Sequence, residues 1–280
     1  MKATNNLSFE DLKAMSFEIK KQIIELAASA GEGHCASALS IADIMTALYF
    51  HRLRLDPGDP NWPDRDRFVL SKGHACLALY IALHKAGFFD RDKLYTFLKP
   101  DTGLAGHPVR GGAPGIEVST GSLGQGFSVS VGMALGAKMD GLRHHTFVLI
   151  GDGESNEGII WEAALSAAHL KLDNLTGILD RNYFQCDGYS KDVVNLDPLD
   201  EKWRSFGWAV ETCDGHSIEA LIERFDRLPF SKDKPSMIIA QTVKGKGVTF
   251  MENSAEWHYR APNQEEMEKA IAELETGCRV

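Results

Sequence analysis

Apolar positions along the chain switch repeatedly between helical and strand spacing. Between residues 8 and 30, Leu12, Met15, Ile19, Ile23, Leu26 and Ala27 recur at helical intervals, with Ser8 placed to cap the helix they predict. Gly31-Glu32-Gly33-His34 ends that pattern as a turn, and a second helix is predicted over Ser40 to Phe50. A polar loop from Asp56 to Asp66 leads to a short strand, Phe68 to Leu70, which runs into Ser71-Lys72-Gly73-His74. Ala75 to Ala86 reads as helix. The Gly- and Pro-rich loop Pro100 to Gly115 then carries His107, and Gly121 to Gly126 opens a small-residue helix through Ala137.

The segment His145 to Asp187 holds the clearest succession of these elements, and the chain has no internal repeat. Thr146 to Ile150 is a buried strand, Gly151-Asp152-Gly153 a sharp turn, and Ile160, Ala163, Ala164, Ala167, Ala168 and Leu170 follow helical spacing from Glu157. Leu175 to Leu179 is the next strand, ended by Asp180-Arg181-Asn182. Strand, helix, strand at this length predicts parallel neighbours joined by a right-handed crossover. A strand from Trp208 to Thr212, a helix from Ser217 to Leu228, a strand from Ser236 to Val243 and an acidic helix from Glu265 to Leu274 complete the chain. The expected fold is α/β: one domain over residues 1–280, a mainly parallel sheet with helices on both faces, and a polar helix and tail over 263–280.

Composition narrows the function classes. A net charge of −9 and the absence of a basic run with interleaved aromatics exclude nucleic acid as the main partner. No stretch reaches membrane-spanning length, and the polar N-terminus lacks a signal core. The five scattered cysteines form no C-x-x-C pair, which fits a reducing compartment. A soluble cytoplasmic protein with no membrane partner is expected.

Two oxygen-bearing side chains stand out. Asp152 follows one strand and Asn182, thirty residues on, follows the next, so parallel pairing brings both to the carboxyl edge of the sheet, where open α/β folds bind ligands. Asp152 alone is as readily a helix cap; with Asn182, a backbone carbonyl and phosphate oxygens it suits a hard cation such as magnesium. The helix beginning near Glu157 would turn its positive end toward an anion. Gly121 to Gly126 matches neither G-x-G-x-x-G nor the P-loop. His34, His74, His107 and His258 all fall in loops beyond predicted elements, without zinc-ligand spacing, and point to a polar pocket for a polyhydroxyl substrate. The remaining histidines (His51, His84, His144, His145, His169 and His216) are expected to be structural or solvated.

The wording of these loops resembles the N-terminal, diphosphate-binding half of transketolase, a thiamine diphosphate enzyme, over about residues 10 to 262. The resemblance rests on Gly151-Asp152-Gly153 with Asn182, Ala30 to His34, Asp66 to His74, Gly106-His107-Pro108, Thr120 to Gly126, and Lys244-Gly245-Lys246-Gly247 through Trp257-His258. It implies Mg2+ (or Ca2+ or Mn2+ in its place) held by Asp152, Asn182 and the backbone carbonyl of Phe184. It implies thiamine diphosphate lined by Ser37, His74, Gly121, Ser122, Leu123, Gly153, Asn182, Lys244 and His258. His34, His107 and His258 would face the sugar, exchanging protons near neutral pKa, and Glu157 and Glu162 would lie near a subunit interface. Glu32, Cys35 and Ala36 depart from the family's Ser-Gly-His-Pro wording and remove a rigid proline beside His34.

Full-length members run to more than twice this length, and their pyrimidine-binding domain carries the activating glutamate and most sugar-phosphate-binding arginines. The resemblance therefore implies the first subunit of a split transketolase. It would act on sugar phosphates in a heterotetramer with a second, pyrimidine-domain chain. Met1 at the start and the polar tail ending at Val280 are read as favouring that form over a fragment. The competing expectations are a thiamine diphosphate-dependent synthase, a non-catalytic scaffold of the same fold, or a 2-oxo acid dehydrogenase subunit.

Overall fold

The computed structural model describes residues 7–277, so Met1, Cys278 and the end of the expected tail lie outside the described residues. Five strands, β1 (Arg67–Leu70), β2 (Thr146–Gly151), β3 (Leu175–Arg181), β4 (Ala209–Asp214) and β5 (Ser236–Gln241), form one sheet in the order β1-β2-β3-β5-β4. Every pairing is parallel, with Gly151 opposite Asp180 between β2 and β3 and Asp180 opposite Ala240 between β3 and β5. The central strands are apolar on both faces, as a covered parallel sheet requires. Phe147, Leu149, Ile178, Ile238 and Ala240 join one core, while Val148, Ile150, Leu179, Met237 and Ile239 join the other.

Helices cover both faces. On the first lie α1 (Phe9–Ala30), α2 (Cys35–Ser40), α3 (Ala42–Ala47), α4 (Cys76–Lys85), α10 (Ile218–Asp226) and α11 (Gln264–Gly277). On the second lie α6 (Gln125–Met139), α7 (Gly158–His169) and α9 (Leu199–Ser205), with Trp203 of α9 fully buried. Two short helices, α5 (Arg91–Leu94) and α8 (Ser190–Val193), sit in the long loops. Ser8 caps α1 in a reciprocal capping box with Asp11, and Gly31 ends it at φ 71°.

Two expectations need correction. The helix expected from Ser40 begins at Cys35, breaks at Ile41 and ends in a π turn over Leu48–Arg52. Ser40 is no cap there: its buried hydroxyl donates to Asp180 at 2.6 Å. The turn after Asp152 is already helical, a 3-10 segment over Gly153–Asn156 that precedes α7. The acidic C-terminal helix keeps its charged face to solvent and buries Ala270 and Leu274 against the first core.

Candidate active site

Parallel strands aim their carboxyl ends the same way, so the residues that follow β1, β2, β3 and β5 converge on one edge. These are Lys72 and His74, Asp152, Asn182, and Lys244. They line one cavity of about 360 Å3, together with His34, Ser37, His107, Gly121, Leu123, Gly153, Phe184 and His258. Ser122 is placed otherwise: it is exposed and does not line the cavity. The ring of His34 lies 5.0 Å from His74, 6.0 Å from His107 and 5.3 Å from His258, so the four loop histidines meet although they are scattered along the sequence. Of the other histidines, His51, His84, His145 and His216 bond to Asp226, the Phe89 carbonyl, Thr176 and Asp43. His144 sits on the Pro63 carbonyl and His169 is exposed.

Asp152 is buried and its carboxylate accepts from the Gly153 N–H at 2.7 Å and the Ser190 hydroxyl at 3.0 Å, with an Arg181 N–H at 3.4 Å. Capping and binding are thus compatible here, because the cap uses one lone pair of Oδ1. Asn182 donates from Nδ2 to Asp180 at 2.8 Å and accepts the Phe184 N–H on Oδ1 at 3.0 Å. The turn between them puts Tyr183 at φ 63°, a left-handed conformation costly for a bulky residue, with the Arg181 guanidinium 4.5 Å over its ring.

The donor set fits a divalent cation and a diphosphate. Beyond the turn, Phe184 and Tyr189 form a non-hydrogen-bonded antiparallel pair: Tyr183 C=O takes the Ser190 N–H and Gln185 N–H goes to Gly188. The Phe184 carbonyl therefore spends nothing on the ladder and is free to accept or ligate beside Asn182 Oδ1. A Cβ on Gly153 would sit 2.9 Å from Gln185 Cγ, and one on Gly121 3.2 Å from the His107 ring, so both turns need glycine to keep their approach. Among the described residues no cluster of three or more His, Cys, Asp or Glu forms a metal centre of its own, in keeping with a cation completed by amide, carbonyl and phosphate oxygens.

The cavity floor holds a buried ion pair and a further lysine, Lys244. Lys72 Nζ pairs with Asp180 at 2.6 Å, both side chains almost completely buried. Burial opposes ionisation of Asp180, but Lys72 and hydroxyls from Ser40 and Thr242 outweigh it and hold the carboxyl below its usual range. Burial, then Asp180, raises Asp152 to about 6. Burial, then Lys72, lowers Lys244 to about 8, while its ammonium donates to His258 Nδ1 at 2.7 Å. The expectation of near-neutral histidines is corrected: burial and neighbouring histidines and lysines lower His34 to about 3, and burial and Lys244 lower His258 to about 4. His74 falls in the same direction, chiefly by burial and then Lys72. At neutral pH these are uncharged rings offering one donor and one acceptor each. Lys244 can only donate, so His258 Nδ1 accepts and Nε2 carries the hydrogen.

Sequence reasoning assigned no role to Lys72, Asp180 or Glu154. Glu154 accepts from Ser71, from Gly124 N–H at 2.8 Å and from Gly151 N–H at 3.0 Å, tying the glycine strip at 121–126 to the Asp152 turn. The signal available was a charged residue beside glycine after each of β1 and β2.

Comparison with known proteins agrees with this geometry. Residues 13–276 match the family described as transketolase, thiamine diphosphate binding domain. The chain is 44% identical over 265 residues to the 6-deoxy-6-sulfo-D-fructose transketolase subunit SqwG of Clostridium sp. (strain MSTE9), covering 95% of this chain and 96% of that one. It is 43% identical over 270 residues to an apulose-4-phosphate transketolase subunit of Actinobacillus succinogenes, covering 96% and 98%. The solved transketolase from Leishmania mexicana superposes with a TM-score of 0.89 at 30% identity, over 94% of this chain but 41% of its own. The chain thus spans about two fifths of that enzyme and nearly the whole of the two subunits. With the family's motif residues gathered on one sheet edge and the match running almost end to end, this chain belongs to the transketolase family, as its thiamine diphosphate-binding domain.

Proposed function

We propose that the chain is the N-terminal subunit of a split transketolase, moving a two-carbon ketol unit from a ketose phosphate to an aldose phosphate. The observation that carries this is the convergence of Lys72, His74, Asp152, Asn182 and Lys244 on one cavity that three further histidines share. Asp152, Asn182 Oδ1 and the Phe184 carbonyl would hold Mg2+, or Ca2+ or Mn2+ in its place, and Gly153, Ser37, Gly121, Leu123, His74 and Lys244 would line the cofactor. Bound thiamine diphosphate supplies the electron sink for carbon–carbon cleavage. His34, His107 and His258 would orient the sugar. As uncharged rings, His34 and His258 would act by hydrogen bonding without burying charge: His258 donates from Nε2 toward a developing oxyanion, and His34 offers one donor and one acceptor to the sugar oxygens.

The pyrimidine-binding domain belongs to a second chain, and the two assemble as a heterotetramer. Relatives named as subunits match along their whole length, whereas the Leishmania mexicana enzyme extends well beyond the match. Val129, Met139 and Leu165 expose apolar side chains on α6 and α7 that a partner would cover. Two relatives named for a sulfofructose and for apulose 4-phosphate extend the substrate class to sulfonated and branched sugars. The reading keeps a cytoplasmic location: the four described cysteines are free, and among the described residues no helix is long and apolar enough to cross a membrane.

Reconstitution tests the proposal. The chain mixed with its pyrimidine-domain partner, thiamine diphosphate and Mg2+ should transfer ketol units from a ketose phosphate to ribose 5-phosphate, and the chain alone should not. Full-rate transfer by the chain alone would remove the partner requirement. Turnover of 2-oxo acids with no ketol transfer would overturn the reaction assignment.

A further inference from the structure

We propose that Glu32 and Tyr259 form a selective wall at the mouth of the histidine cluster, one that accepts hydroxylated, uncharged parts of the sugar and disfavours phosphoryl or sulfonyl groups at that edge. This rests on the functional reading above and adds to it a determinant of substrate class.

The pair is held in place from both sides of the site. Glu32 lies two residues before His34, and Tyr259 directly follows His258. Tyr259 Oη donates to Glu32 Oε2 at 2.9 Å, joining loops that are 227 residues apart in sequence. The Tyr259 ring sits 4.7 Å from the His34 ring at 48°, and a parallel bridge between His34 and Arg260 fixes the backbones beneath. Tyr259 is 59% exposed, so core burial does not explain its placement. What it covers is the outer side of a histidine that lines the cavity.

Charge gives the wall its preference. Inside the cavity Lys72 is paired with Asp180 and Lys244 is the remaining cation, whereas Glu32, outside the lining residues, sets a carboxylate on the Tyr259 side of His34. Arg260, the nearest cation along the Tyr259 loop, is engaged by Glu266 and by Glu256 at 3.2 Å and lies 4.1 Å over the Trp257 ring. Among the described residues no lysine or arginine forms an ion pair with Glu32, and Arg260 is committed elsewhere. A carboxylate accepts hydroxyl hydrogens and repels anions, and an aromatic face packs against sugar C–H groups. A dianionic group within roughly 7 Å of Glu32, at water-like dielectric and with partial screening, is disfavoured about two- to sevenfold.

The test uses the assembled complex with one ketose phosphate donor and two acceptors, D-erythrose and D-erythrose 4-phosphate. The quantity read is the ratio of kcat/KM for the phosphorylated acceptor over the neutral one, for the parent complex, Glu32→Gln and Glu32→Lys. Glu32→Gln keeps an oxygen for Tyr259 and removes only the charge. The ratio should rise about two- to sevenfold in Glu32→Gln and further in Glu32→Lys, and the gain should shrink as salt is raised. A ratio unmoved in both variants, or a gain insensitive to salt, overturns the wall. Absence of ketol transfer by the parent complex with either acceptor fails the functional reading instead, so the two failures are distinguishable.

Discussion

Replacing Lys72 by Met is predicted to destabilise the chain by about 3 kcal/mol, and replacing Asp180 by Asn by about 4–5 kcal/mol, because each leaves the other's charge buried without its partner. The pair is 2.6 Å apart with side chains 2% and 0% exposed. The two costs differ for a structural reason. Without Lys72, Asp180 still accepts from Ser40 at 2.6 Å, from Asn182 at 2.8 Å and from Thr242. With Asn at 180, the Lys72 ammonium keeps only neutral acceptors, the amide oxygen and the Ser37 carbonyl at 3.5 Å. Removing both charges together should cost less than Asp180→Asn alone, since the double variant buries no lone charge. Guanidinium unfolding of the three variants, followed through the buried Trp203, gives the numbers. Single costs below about 1 kcal/mol, or a double cost equal to their sum, would refute the buried pair. The same variants reach function through Asn182, whose amide is oriented by Asp180. Asp180→Asn should therefore weaken metal-dependent cofactor binding more than Lys72→Met does.

Two further predictions follow from backbone and burial. Gly124→Ala should cost about 2–4 kcal/mol, because φ is 82° and the added Cβ would sit 2.4 Å from Ile159 Cγ2, whereas Gly132→Ala on the same helix meets open space and should stabilise by about 0.5–1 kcal/mol. Denaturation midpoints read both, and equal effects would contradict the packing. Burial, then Arg52, lowers His145 to about 3, below its ordinary 6.5. Between those values the unfolded chain binds a proton that the folded chain does not, so stability is complete above 6.5 and lost as pH falls. The loss from this histidine is about 2 kcal/mol at pH 5, and His145→Gln should flatten the curve while keeping a bond to Thr176.

The parts of the site that follow local rules were legible from sequence. Strand, glycine turn and a polar residue at the strand end placed Asp152 and Asn182 together, and loop positions gathered the four histidines. What lay beyond local pattern was long-range. Ser40 reads only as the start of a helix, but it meets Asp180, 140 residues on, which nothing in its neighbours announces. Glu154 looks like one more polar turn residue until three segments close on its carboxylate. The histidine protonation states were misjudged for the same reason: residue type sets a near-neutral starting point, and only the fold sets burial and the approach of Lys244.

The central claim is that Asp152, Asn182 and Phe184 hold the metal that anchors the cofactor's diphosphate. The most direct test is the anomalous signal of Mn2+ in crystals of the assembled complex with thiamine diphosphate. The account predicts one manganese at bonding distance from the Asp152 carboxylate, Asn182 Oδ1 and the Phe184 carbonyl, with a diphosphate oxygen completing it beside Gly153. Manganese bound elsewhere, or a diphosphate seated without any metal at these three oxygens, would contradict it.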